Sequence, residues 1–228
     1  MRGDDVQLVH QVSARIIAIL KRKGGSGSST LAANLGAELA ARGRSVRILD
    51  ADPQQTLAVW SRLGEGGALQ QLVEPVDVQQ GAAFRSMIEL AAVDHERVLI
   101  DCAPGFDALA IQAASMADGI LIPVRPSPLD ITAASDALEV ATMAARGREA
   151  WIALVPSANL PRTRLGRELP ETLADIGKEA GAVVLPSISH RVLIAEAAAS
   201  GQVAREAEPG GSAALEFAAL ADAVEAKL

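Results

Sequence analysis

The decisive stretch of this chain is KGGSGSST, residues Lys23–Thr30. It follows the apolar run Ile16–Leu20, which has the pattern of a buried strand, and it precedes Leu31–Arg42, whose Ala- and Leu-rich composition favours a helix. A glycine-rich turn between a strand and a helix directs several backbone N–H groups towards one point. The helix N-terminus adds partial positive charge there. The stretch therefore predicts a binding site for phosphate.

One position of this loop departs from the usual pattern, G-x-x-x-x-G-K-[ST]. Ser28 follows Gly27 where the pattern has lysine, and Ser29 takes the hydroxyl position. Arg22 stands at the position of the first glycine. Lys21 and Arg22 are close in sequence, but they precede the loop and would have to fold back to reach it.

Two acidic turns follow strand-like runs further along the chain. The run Val46–Leu49 ends in Asp50 and Asp52, and the run Val98–Ile100 ends in Asp101. Carboxylates at the carboxyl ends of parallel strands lie beside the ligand crevice of an α/β sheet. There they hold Mg²⁺ and orient a water molecule. The alternatives are solvated turn residues for the first two and a helix cap for Asp101.

The loop and the two acidic turns, in this order and spacing, resemble the deviant Walker box of the ParA/MinD partition ATPases. The family loop reads K-G-G-x-G-K-[ST]-T, and Lys23 matches its first lysine. The family's D-x-D-P-Q turn is matched by Asp50–Gln54. Trp60, which follows this turn, also resembles the family's pattern. The length of the chain resembles that of the small ParA type, which lacks a helix-turn-helix domain.

Two later segments extend the resemblance. The segment Pro123–Asp130 is similar to a short ParA loop that lies against adenine, which implies nucleotide contacts at Pro126 and Pro128. The segment His190–Val203 resembles the family's R-x-x-x-x-E-A…G-x-x-V segment near the C-terminus. The resemblance covers nearly all of the chain after residue 14.

The resemblance implies an ATP-dependent homodimer that binds nonspecific DNA and positions a plasmid, a chromosome region or a protein assembly with a ParB-like or other adaptor protein. It places the protein in the cytoplasm at the nucleoid, with ATP or ADP and Mg²⁺ as ligands. Lys23 would act across the dimer and, with Asp52, in catalysis. Metal contacts would come from Ser29, Asp50 and Asp101. The implied nucleotide-binding residues of the loop are Lys23, Gly24, Gly25, Ser26, Gly27, Ser28, Ser29 and Thr30.

The serine at position 28 bears on hydrolysis. A pair of unit charges ~4 Å apart is worth about 4 kcal/mol at an effective dielectric constant of about 20. Losing that interaction weakens nucleotide binding by up to about a thousandfold. The loss is greater in the transition state, where charge on the transferred group must be stabilised. We therefore expect ATP turnover to be weak or absent with Ser28 in place.

Composition favours a single α/β domain. The chain has 228 residues, of which 50% are hydrophobic and only 2% aromatic, so the core must be aliphatic, as in a buried parallel sheet. One cysteine argues against a disulfide framework and fits a reducing compartment. We expect residues 1–14 to form a flexible tail and residues 15–228 to form one nucleotide-binding domain.

The basic residues favour a local DNA contact. The net charge of −7 argues against a generally basic nucleic-acid binder, but phosphate binding requires only a few local cations. A solvated helix face is the alternative for such a cluster. The candidate DNA-binding residues are Arg162, Arg164, Arg167 and Arg191.

The alternation of patterns along the chain predicts a mostly parallel, twisted sheet covered by helices on both faces, similar to P-loop NTPases. Strands are predicted near residues 15–21, 45–50, 72–76, 97–101, 119–124, 151–155 and 182–185. Helices are predicted near residues 29–42, 54–63, 79–93, 107–117, 130–146, 164–180, 190–199 and 212–227.

Two other functions are compatible with the phosphate loop. A metabolic ATP-dependent ligase or synthetase would need a further polar substrate pocket, for which the sequence has no motif. A MinD-like membrane switch would need a cationic amphipathic C-terminal helix, but Ala213–Leu228 carries mainly acidic charge. Cys102 follows a buried strand and is expected to be a small core residue.

Overall fold

One sheet of seven parallel strands organises the described part of the chain, which comprises residues 14–77 and 81–228 of the computed structural model. The predicted tail at residues 1–14 lies outside the described residues except for Ala14. The sheet order is β3-β2-β4-β1-β5-β6-β7. The strands are β1 (Arg15–Lys21), β2 (Val46–Ala51), β3 (Val73–Pro75), β4 (Arg97–Pro104), β5 (Gly119–Val124), β6 (Trp151–Pro156) and β7 (Val183–Val184).

Helices connect these strands and cover the sheet. They are α1 (Ser28–Ala41), α2 (Thr56–Leu63), α3 (Leu69–Leu72), α4 (Gly81–Asp94), α5 (Ala108–Met116), α6 (Pro128–Ala145), α7 (Arg164–Gly177), α8 (Val192–Ala199), α9 (Ala204–Ala207) and α10 (Ser212–Glu225). The predicted α/β fold is confirmed, although residues 79 and 80 of one predicted helix lie outside the described residues. The sequence analysis missed α3 and α9, because a helix of four residues is too short to show a helical period.

The core lies on both faces of the sheet. Along β1, Ile17 and Ile19 pack into one apolar cluster, whereas Ala18 and Leu20 pack into the other. Strands buried on both sides need apolar residues at successive positions, which is why β1 is hydrophobic from Ile16 to Leu20. The first cluster contains residues of α1 and α10, and the second contains residues of α4 to α7. Within the described residues, no helix has the length and apolar character needed to cross a bilayer.

The strand order brings the predicted site residues to one edge of the sheet. Strand β1 lies between β4 and β5, and β2 lies on the other side of β4. In the register of these strands, Asp101 of β4 is paired with Ile19 of β1 and with Asp50 of β2. The loop that follows β1 and the acidic ends of β2 and β4 are therefore neighbours.

An ion cluster attaches the C-terminal helix to the opposite edge of the sheet. Glu225 of α10 accepts hydrogen bonds from Arg97 at 2.7 Å and from Arg44 at 2.8 Å. Burial by itself would raise the pKa of Glu225, but the hydrogen bonds and charges of Arg97 and Arg44 outweigh it and hold the pKa below its ordinary value. Helix α10 packs against α1, so this cluster supports the helix that begins at the phosphate loop.

We expect Glu225→Gln to lower the melting temperature at neutral pH by about 2–4 °C, the shift that corresponds to about 1 kcal/mol in a chain of this size. A carboxylate whose pKa is lowered in the folded state stabilises the fold above its ordinary pKa. That contribution disappears as the pH falls through the folded-state value. Melting curves between pH 7 and pH 3 should therefore show the difference from wild type shrinking in acid, with exposed Glu65→Gln as the control. A difference that stays constant down to pH 3 would contradict this account.

Candidate functional site at the carboxyl edge of the sheet

The glycine-rich loop joins β1 to α1 in the conformation of a phosphate-binding turn. Gly25 and Gly27 have φ angles of 79° and 91°, in the left-handed region that favours glycine. Gly27 is also the N-cap residue of α1. Such alternation of backbone conformation turns successive N–H groups to one concave side, where they attract anions. The predicted strand–loop–helix arrangement of Lys23–Thr30 is thus present.

Lys21, the last residue of β1, is directed into this loop. Its side chain is 4% exposed, and its ammonium group donates to the Ser28 hydroxyl oxygen at 2.6 Å. The same nitrogen lies 3.1 Å from a carboxylate oxygen of Asp52 and 3.1 Å from one of Asp101. The sequence analysis treated Lys21 as too early in the chain to reach the loop without folding back, and this was wrong. Side chains alternate along a strand, so Lys21 points to the same face of the sheet as Ile17 and Ile19, the face that α1 covers.

The ammonium group of Lys21 is held charged by its neighbours. Burial by itself would lower the pKa of Lys21, but the charge of Asp101 and the hydrogen bond and charge of Asp52 raise it above its ordinary value. Arg22 lies elsewhere, since it contacts Asp136 at 3.4 Å and stacks over the ring of Phe106. The cation that the structure brings to position 28 is therefore Lys21.

Asp101 connects the lysine to the start of α1. One of its carboxylate oxygens accepts from Lys21, and the other accepts from the Ser29 hydroxyl at 2.5 Å. Asp52 uses one oxygen for Lys21 and the other for the backbone N–H of Gln54 at 3.0 Å. Two carboxylates, two hydroxyls and one ammonium thus meet at the base of the loop.

Asp50 has different partners. Its carboxylate accepts from the backbone N–H groups of Ala58 at 3.0 Å and Asp52 at 3.3 Å, so it holds the turn between β2 and α2. Burial raises the pKa of Asp50, the hydrogen bonds from Ala58 and Asp52 oppose this rise, and the charges of Asp101 and Asp52 add to it. A metal contact of Asp50 stays a prediction. Within the described residues, no three His, Cys, Asp or Glu side chains are grouped so as to hold a metal ion by themselves.

A cavity of about 340 Å³ opens beside the loop. Gly25, Gly27 and Thr30 form one end of it, and Arg125 reaches across to donate to the Gly25 carbonyl oxygen at 3.3 Å. Pro128, predicted to contact the nucleotide, is the first residue of α6, and the contacts expected of Pro126 and Pro128 stay predictions. The other lining residues are Leu31, Ser157, Ala158, Ile188, Ser189, His190, Arg191, Ile194, Ala195, Ala198 and Phe217.

The sequence analysis did not identify Arg125, Ser157 or Ile188 as site residues. Ser157 directly follows β6, and its place at the carboxyl end of a parallel strand was the signal that could have found it. The segment around Ile188 is positioned by backbone contacts with the loop after β6, where the Asn159 N–H donates to the Ile188 carbonyl oxygen at 2.9 Å. No local sequence pattern predicts the pairing of Asn159 with Ile188.

A half-buried carboxylate, Glu216, holds two of the residues that line the cavity. Glu216 of α10 accepts from the Ser189 N–H and the Ser189 hydroxyl, both at 2.8 Å, and from Arg191 at 2.7 Å. Arg191 lines the cavity and its charge is paired with Glu216; the DNA contact predicted for it stays a prediction. The wall is therefore fixed by the C-terminal helix.

The remaining basic candidates lie together on the surface. Arg162 and Arg164 are exposed at the start of α7, and Arg167 is exposed on its first turn, where it donates to the Arg162 carbonyl oxygen at 3.1 Å. Arg164 pairs with Glu168 at 3.1 Å. We call Arg162, Arg164 and Arg167 the basic patch.

Lys23 and Cys102 have contrasting surroundings. Lys23 is exposed, and its ammonium group donates to the Leu129 carbonyl oxygen at 3.3 Å. Cys102 is buried in the core, as predicted, and burial raises the pKa of its thiol well above the ordinary value. It is a core residue rather than a nucleophile.

The fold and this site together define a class of protein: a nucleotide-binding α/β protein whose glycine-rich loop follows its central strand. Residues 17–204 match the family described as the CobQ/CobB/MinD/ParA nucleotide binding domain. The chain belongs to this family, and the predicted ParA/MinD membership is confirmed.

Two relatives illustrate the similarity in sequence. Maintenance of carboxysome distribution protein A of Halothiobacillus neapolitanus is 33% identical over 81% of this chain and 84% of the relative. Chromosome-partitioning ATPase Soj of Thermus thermophilus is 29% identical over 96% of this chain and 98% of its own. Partition and positioning ATPases are thus the proteins that this chain is similar to.

Solved structures confirm the fold. MinD of Pyrococcus horikoshii in complex with Mg-ADP superposes with a TM-score of 0.73, at 22% identity, over 93% of this chain and 96% of that chain. The apo form of McdA from Cyanothece gives a TM-score of 0.74, at 18% identity, over 92% of this chain and 99% of that chain.

Proposed function

We propose that this chain is an ATP-dependent dimerising switch that positions or segregates a cargo along nonspecific DNA, with an adaptor protein that triggers release. The observation that carries the proposal is the glycine-rich loop, which opens onto a cavity also lined by residues 188–191 and has the carboxylates of Asp52 and Asp101 at its own base. Its relatives are named for carboxysome distribution and chromosome partitioning. On this proposal the protein works in the cytoplasm at the nucleoid.

In this proposal the cavity holds the nucleotide. The glycine end binds the phosphates, and the part lined by Ile188, Ile194 and Phe217 offers an apolar surface to the base. Oxygen atoms suit Mg²⁺, which is usually held by one or two protein oxygens together with phosphates. Ser29 and Asp101 supply such oxygens, and the ion would neutralise charge on the phosphates. Asp52 is the candidate for orienting the attacking water.

The first test of this function is nucleotide binding. Isothermal titration with ADP and with ATP, each with Mg²⁺, should give binding at micromolar to millimolar concentrations. Ser29→Ala should weaken binding about tenfold when Mg²⁺ is present and much less in EDTA, because it removes one oxygen from the ion. Exposed Ser115→Ala is the matched control. Absence of any binding at millimolar nucleotide would overturn the proposed function.

The second test concerns Lys23. Its side chain is exposed, and its ammonium donates to the Leu129 carbonyl oxygen of α6. On this proposal the ammonium exchanges that contact for the phosphates of a second copy. A cation supplied across an interface makes association depend on the terminal phosphate, as an arginine finger does. Lys23→Ala should therefore abolish dimerisation with ATP while leaving ADP binding by the monomer intact.

Light scattering with ATP, with ADP and without nucleotide measures this dimerisation. Exposed Lys178→Ala should behave as wild type. A wild-type chain that binds ATP yet stays monomeric would instead favour a metabolic synthetase.

The third test concerns DNA. The basic patch is exposed in a protein with a net charge of −7, so DNA binding should be local, independent of sequence and steeply weakened by salt. Reversing Arg162, Arg164 and Arg167 to glutamate should abolish the ATP-dependent gel shift of random duplexes. Reversal of three exposed arginines elsewhere, Arg62, Arg85 and Arg146, changes the net charge equally and should preserve most of it. Equal losses in both triple variants would mean that net charge, and not the patch, governs binding.

A further inference from the structure

The loop lacks a lysine at position 28, yet the ammonium group of a buried lysine, Lys21 of β1, contacts the side chain at that position. We propose that Lys21, acting through the Ser28 hydroxyl, supplies the positive charge that this phosphate loop lacks. The proposal rests on the proposed nucleotide binding and assigns to Lys21 and Ser28 a role that the loop pattern gives to a single residue.

The geometry makes Lys21 and Ser28 a matched pair. The Lys21 nitrogen lies 2.6 Å from the Ser28 hydroxyl oxygen, a good distance for a hydrogen bond. A lysine at position 28 would place its γ-methylene group near the site of that oxygen. A carbon atom needs about 3.5 Å from a nonbonded neighbour, so it would collide with the Lys21 ammonium. With Lys21 in this place, position 28 therefore requires a small side chain that accepts a hydrogen bond.

The hydroxyl carries the charge towards the ligand. A serine hydroxyl has one donor and two acceptor lone pairs. Because the Lys21 ammonium donates to the Ser28 oxygen, the Ser28 O–H remains to donate to a phosphate oxygen. A hydrogen bond polarised by an adjacent cation is stronger than one between neutral groups. Ser28 is the first residue of α1, where the backbone N–H groups also attract an anion.

Lys21 also lessens an obstacle to phosphate binding, because it offsets one of the two negative charges of Asp52 and Asp101. Without it, Asp52 and Asp101 would present two negative charges beneath the loop and repel the ligand. Their hold on Lys21, at 3.1 Å each, fixes the ammonium before any nucleotide arrives. A charge positioned in advance has little reorganisation to undergo when the ligand binds.

A double-mutant cycle tests the pairing by titration with ADP and Mg²⁺. Lys21→Met keeps the length of the side chain but removes its charge. It should lower the affinity for ADP about tenfold to a thousandfold. Ser28→Lys alone should bind no better than wild type and should melt lower, because of the collision. The double variant Lys21→Met, Ser28→Lys has room for the new lysine and should recover most of the lost affinity. Arg22→Met, next in sequence and exposed, should bind as wild type.

Ser28→Ala completes the test, because it keeps both ion pairs of Lys21 and removes only the hydroxyl. It should stay folded, melting a few degrees lower because one N–H of the buried ammonium loses its acceptor, and it should lose about tenfold in ADP affinity. This variant decides the question even if Lys21→Met, which leaves two buried carboxylates unpaired, fails to fold.

Three results would overturn the inference: unchanged ADP affinity in Ser28→Ala, unchanged affinity in a folded Lys21→Met, or tighter binding by Ser28→Lys alone. A wild-type chain that binds no nucleotide would instead refute the proposed function. The two failures are therefore distinguishable.

Discussion

The ion cluster of Lys21, Asp52 and Asp101 is the constraint on which the site depends. A buried charge is tolerated only where it is paired and hydrogen-bonded, so these three residues must stay together once the sheet has formed. Lys21 ends β1, Asp52 follows β2 and Asp101 lies within β4, the strand between the other two. The cluster thereby joins the phosphate loop to both acidic turns.

The same cluster gives a physical reason for the departure at position 28. The backbone of the loop keeps the conformation that attracts phosphate, since Gly25 and Gly27 retain positive φ angles. What differs is the source of the cation, because the space beside Ser28 is already occupied by the end of Lys21. The serine is therefore compatible with an anion site rather than a sign that the site has been lost.

The cavity depends on a second, distant arrangement. Glu216 of α10 fixes Ser189 and Arg191, which line the cavity together with the glycine loop. Helix α10 packs against α1, and Glu225 ties its end to Arg44 and Arg97 at the far edge of the sheet. The C-terminal helix is thus part of the support of the site, although it lies far from the loop in sequence.

The sequence by itself determined the fold and the place of the site, because both follow from local patterns: apolar runs for the strands, glycines for the turn, and aspartates at strand ends. Only the tertiary structure decided which side chains meet. The strand order and the turn of the loop bring Lys21 to Ser28, Asp52 and Asp101. Asp50 instead accepts hydrogen bonds from its own turn, and the Asn159–Ile188 pairing positions Ile188 beside the cavity. Such contacts join residues distant in sequence, so they are set by strand order and packing, which no local pattern records.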